Sequence, residues 1–108
     1  MPRLPSRLYG PALLTNLDAQ LISPAAGHTF VIRHIHINNT SGSAATFILS
    51  VGADAAGTEL FTSKSVAAND VYDWFGLLIV NATESFRGHA GTTNVLNITI
   101  NGDDYTLG

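Results

Sequence analysis

His34 and His36 are the residues of this 108-residue chain whose types and spacing point most directly to chemistry. Both lie in the run TFVIRHIHIN, residues 29–38, which is dense in β-branched side chains. On a strand, positions i and i+2 project from one face, so two imidazoles at this spacing can converge on one ion. A metal centre of cupin type also asks for a glutamate a few residues on and a further histidine on a distant strand. Ile37, Asn38, Asn39, Thr40 and Ser41 follow His36 with no carboxylate among them, and no spacing ties His89 to the pair. The expectation is therefore that Ile35 and Ile37 face the core while both histidines face outward, to solvent or to a partner, with no metal or other cofactor bound.

Other candidates are weaker. Strict alternation would put Arg33 on the same face as Val31, Ile35 and Ile37, a costly place for an unpaired charge. A bulge, a carboxylate partner or an interface would each resolve it, and a bulge or a sheet edge is expected. In the run VYDWFG, Tyr72 and Trp74 are the aromatic types that anchor interfaces or stack on sugars, with Asp73 between them read as solvated. Trp74 is expected to fill the core or a subunit contact. Asp103 and Asp104, with Asp54, lack the ligand spacing of a calcium loop and are read as a solvated turn. No nucleophile elbow, phosphate-binding glycine loop or close acidic pair on a strand occurs, so an enzyme is not expected.

These residues must be positioned by short β elements. Residues 1–12 hold Pro2, Pro5 and Pro11, which remove backbone donors and favour extended conformations. They read as an arm whose Arg3, Leu4, Arg7, Leu8 and Tyr9 dock on a neighbouring subunit. Residues 13–108 read as one domain. A first broken strand spans 13–14 and 20–23, followed by strands near 29–38, 46–51, 59–62, 71–80, 85–90 and 94–101. Turn-forming clusters separate them, and Gly76 is expected to mark a bulge. Phe47, Leu49 and Val51 alternate on one face, as do Leu96, Ile98 and Ile100. Seven or eight strands at this spacing, with no sustained helical period, predict an all-β antiparallel sandwich or jelly roll.

Composition narrows the function class. Charged residues make up 12% of the chain and apolar residues 45%, so Ala, Thr, Ser, Asn and Gly must cover much of the surface. Such a surface is cheap to desolvate and suits burial against other subunits. Net charge is −3, and the five basic residues are scattered, which argues against nucleic acid as a partner. Cysteine is absent, which removes disulfides and thiol chemistry. No apolar run approaches the length needed to span a bilayer as a helix, and no apolar stretch of signal-peptide type follows Arg3 and Arg7. Folding a chain of this size buries about two-thirds of its extended surface at most, enough for one core.

The order of turns and strands carries a resemblance. A PAAG turn at 24–27 leads into a β run ending in NTSG at 39–42; TFILSVG follows at 46–52 and VAAN at 66–69. Across residues 13–101 this pattern resembles small β-sandwich structural proteins of tailed bacteriophages. The resemblance implies a virion component, a capsid decoration (cement) protein or a minor tail protein, with the capsid exterior favoured. It implies partners among the major capsid protein, other virion proteins and copies of this chain, a trimer for preference. A carbohydrate-binding module using Tyr72, Trp74 and His34 or His36 is the alternative. No functional residue is carried over, because turn chemistry rather than a reactive site defines the pattern.

Overall fold

The computed structural model describes residues 3–52 and 57–106, apart from the side chain of Arg3. Asp54 therefore lies outside the described residues. Eight strands account for most of it: β1 (Arg3–Leu13), β2 (Ala19–Ile22), β3 (His28–Asn39), β4 (Ala45–Val51), β5 (Glu59–Val66), β6 (Val71–Val80), β7 (Phe86–Ala90) and β8 (Leu96–Thr106). They form two antiparallel four-stranded sheets, ordered β1-β8-β3-β6 and β2-β7-β4-β5. Each early strand pairs with a late one: β1 with β8, β2 with β7, β3 with β6 and β4 with β5. The pairing is that of one long hairpin wound over itself, with β3–β8 and β4–β7 contacts joining the turns.

Alternation decides what lies between the sheets. Ile35 and Ile37 of β3, Phe47 and Leu49 of β4, Phe86 of β7, and Leu96, Ile98 and Ile100 of β8 are essentially removed from water. Each such side chain contributes about 1.5–3 kcal/mol on burial. Val51, expected to join Phe47 and Leu49, is only half-buried and packs on the margin of this cluster. Along the open side, Phe47, Phe61, Tyr72 and Trp74 meet at ring-centroid distances of 5.8–6.4 Å, tilted or edge-on. Gly76 makes room for the indole, since a Cβ there would press on the Trp74 ring.

Two segments differ from expectation. The proline-rich segment expected to reach away as an arm lies along β8 as an outer strand of its own sheet, from Arg3 opposite Tyr105 to Leu13 opposite Asn97. Prolines are tolerated on an edge strand, and Leu8 and Tyr9 pack against the core cluster. The Asp103–Asp104 segment, expected as a solvated turn, continues β8 to Thr106. Asp103 is buried and accepts a 2.7 Å hydrogen bond from Arg33 Nε, while Asp104 meets His28 Nδ1 at 2.9 Å. Hydrogen-bonding partners on the neighbouring strand thus hold as strand what two adjacent carboxylates alone would leave as a turn.

One buried polar residue ties the connections together. Asn39 donates from Nδ2 to the carbonyls of Ser43 and Val66 at 2.8 and 3.0 Å, and its Oδ1 accepts from Ser41 N–H and Oγ–H. It anchors the β3–β4 turn to the end of β5. Buried amides without such partners cost about 1–3 kcal/mol.

Gly102 lies opposite Ile32, and a Cβ there would collide with the Val31 carbonyl. Gly102→Ala is expected to lower stability by about 1–3 kcal/mol, as overpacking does. Urea unfolding checks this; an unchanged midpoint would contradict the close β3–β8 approach.

Candidate functional site

An irregularity in β3 places the two histidines. Ile32 pairs with Gly102 and His34 with the adjacent Asn101, so Arg33 is an extra residue relative to β8. Ile32 and Ile35 can then both point into the core, with Arg33 and His34 outside between them. Without the insertion, His34 and His36 would share the inward face of Ile32, because a one-residue slip inverts a strand. Arg33 thus resolves its own problem in two of the expected ways, by a bulge and by pairing with Asp103. β6 bulges at the same level, where Gly76 and Leu77 stand opposite Arg33 alone.

On the outer face, His36 stands directly opposite Asp73 of β6. Asp73 Oδ1 lies 2.6 Å from His36 Nδ1 and 2.7 Å from His34 Nε2. Asn101 Nδ2, on β8, is 3.1 Å from His34 Nδ1. The network assigns the tautomers: His34 donates from Nε2 and accepts from Asn101 at Nδ1, while His36 donates from Nδ1. Phe75 stacks on the His34 imidazole, with centroids 4.5 Å apart and planes within 10°. Hydrogen bonds from His34 first, and then His36, hold the Asp73 carboxyl below its ordinary range. The cluster lies on an open face, with no pocket among the described residues.

The remaining expected site residues are spread over the molecule. Leu4 and Arg7 are exposed on β1, and Leu8 and Tyr9 of the same strand pack on the core. Tyr72 and Trp74 turn inward against the core cluster, so the exposed aromatic is Phe75. His89 sits on β7 in the other sheet, 3.9 Å from Asp18 Oδ1, remote in topology from His34 and His36. Asp18 also accepts a 2.8 Å hydrogen bond from Arg87 Nε. Sequence reasoning missed Asp73 as a partner of the histidines, and with it Asn101 and Phe75. Alternation alone offers a clue, since Asp73 and Phe75 are two apart and so share a face.

Asp73 titrates below its ordinary value because the folded state favours its charged form. Its contribution to stability is therefore present above the unfolded carboxyl range, about pH 3.9, and is lost as pH falls through the lower folded value. Wild type should exceed Asp73→Asn in urea midpoint at pH 6, with the gap closing in strong acid. A gap of constant size across that range would contradict the assigned hydrogen bonds. No family model and no curated protein matches the chain.

Proposed function

We propose that this chain is a non-enzymatic structural module that works by packing against copies of itself. The observation that carries this is the outer strand β6. Val71, Phe75, Leu77 and Ile79 are 48, 73, 59 and 49% exposed on one ten-residue strand at the border of its sheet. A long apolar edge is a template for pairing with another chain unless something covers it. Charged side chains do not guard it: among Asp, Glu, Lys, Arg and His it carries Asp73 alone, and Asp73 is engaged by the two histidines. The low charge content of the whole chain supports the same reading.

The strand order supports a jelly roll, in which eight strands pair as a wound hairpin, a form used by viral capsid and lectin domains among others. Together with the turn pattern of tailed-phage structural proteins, it favours a virion component. In this proposal the protein is a capsid decoration protein, a trimer or another small ring on the head exterior, bound to the major capsid protein. A minor tail protein would use the same face. A carbohydrate-binding role has less support, because Tyr72 and Trp74 face inward and leave Phe75 without a second exposed ring beside it on β6.

Sedimentation equilibrium of the purified chain tests the assembly. Wild type is expected to self-associate, and Phe75→Ser with Leu77→Ser to weaken association about 100-fold, from the loss of about 3 kcal/mol of apolar burial. A wild type that stays monomeric at high concentration, or a double variant that associates equally well, would overturn the proposal.

A further inference from the structure

We propose that His34, His36 and Asp73 form a binding site for one divalent transition-metal ion of the zinc class, on the outer face of the β1-β8-β3-β6 sheet. The inference stands independently of the assembly reading. One ligand atom from each of the three side chains can be chosen so that all lie within 4.8 Å of one another. Two come from a rigid i, i+2 pair on a central strand and the third from the residue directly opposite on the next strand. Directly opposed antiparallel residues have Cβ atoms about 4.5–5.5 Å apart, which suits chelation across a strand pair.

The donor set selects the ion. Two imidazole nitrogens and one carboxylate oxygen match zinc and its neighbours, whereas calcium and magnesium require oxygen ligands throughout. Bonds of about 2.0–2.1 Å in a tetrahedron separate ligand atoms by about 3.3 Å. The present separations of 2.6 and 2.7 Å must therefore widen by about 0.6 Å. Asp73 is on a border strand with its side chain one-third exposed, so it is free to make that adjustment.

The protons balance without an external base. Metal at His34 Nε2 moves that imidazole's proton to Nδ1, and metal at His36 Nδ1 moves the other to Nε2. His34 Nδ1–H then needs an acceptor, and Asn101 supplies one when its amide turns to present Oδ1 in place of Nδ2. Outer partners of this kind fix the tautomer and orientation of a ligating histidine. Phe75, stacked on His34, holds the ring in the ligating plane. The open side of the cluster leaves a fourth position to water, as in other three-ligand zinc sites.

Equilibrium dialysis of the tag-free full chain against Zn²⁺ at neutral pH tests the site. One zinc per chain is expected, with affinity reduced at least about 100-fold in the His36→Ala, Asp73→Asn double variant and about 10-fold in Asn101→Ala. His28→Ala, which removes a histidine on the same strand outside the cluster, should bind like wild type. Circular dichroism reports whether each variant is folded. If the double variant unfolds, Co²⁺ bound to wild type decides by its visible spectrum, which should show the intense bands of four-coordination. Absence of saturable zinc binding, affinity unchanged in the folded double variant, loss of binding in His28→Ala, or a weak six-coordinate cobalt spectrum would each overturn the site.

Discussion

A single extra residue in β3 governs both faces of this protein. Arg33 has no counterpart on β8, and from that point the inward positions of β3 change phase, from Ile32 to Ile35 and Ile37. The irregularity is held by a pairing that spans strands: Asp103, buried on β8, takes the Arg33 guanidinium at 2.7 Å. A buried carboxylate without its partner is strongly unfavourable, so the ion pair and the bulge stand or fall together. Gly102 completes the arrangement by letting β8 approach where any Cβ would strike the Val31 carbonyl. Out of this come an uninterrupted isoleucine core inside and a pair of histidines outside.

The outer face combines a polar network with exposed apolar area. Polar side chains from β3, β6 and β8 close a compact network around one carboxylate oxygen, and apolar side chains of β6 extend from it along the border of the sheet. The opposite sheet has a pairing of its own on Asp18, Arg87 and His89, where Asp18 Oδ1 and His89 Nδ1 are buried with no hydrogen-bond partner. The β6 face couples exposed hydrophobic area with preorganised donors. That pairing of properties is why assembly and metal binding are both proposed there.

Much of this was legible in the residues. Alternation pointed to the strand class, the inward set Leu96, Ile98 and Ile100, and the outward histidines, while Gly76 marked a bulge and Arg33 a bulge or a sheet edge. What remained hidden was non-local. Asp73 lies 37 residues from His36, and no local spacing signals their register. Pro2, Pro5 and Pro11 speak against a central strand but are silent about a border one, so β1 read as an arm. Asp103 and Asp104 carry a turn-like signal of their own, and only Arg33 and His28 on the facing strand convert them to strand. The inward turn of Trp74 likewise depends on Phe61 and Gly76 making a slot for it.

In the proposed assembly the outer edge of β6 is covered by another copy of the chain. Hydrogen–deuterium exchange resolved by strand, compared in dilute and concentrated solution, reads that coverage directly. Amides of residues 71–80 are predicted to exchange more slowly as concentration rises, while those of β7 in the opposite sheet keep their rate. Exchange along β6 that does not depend on concentration would contradict the account.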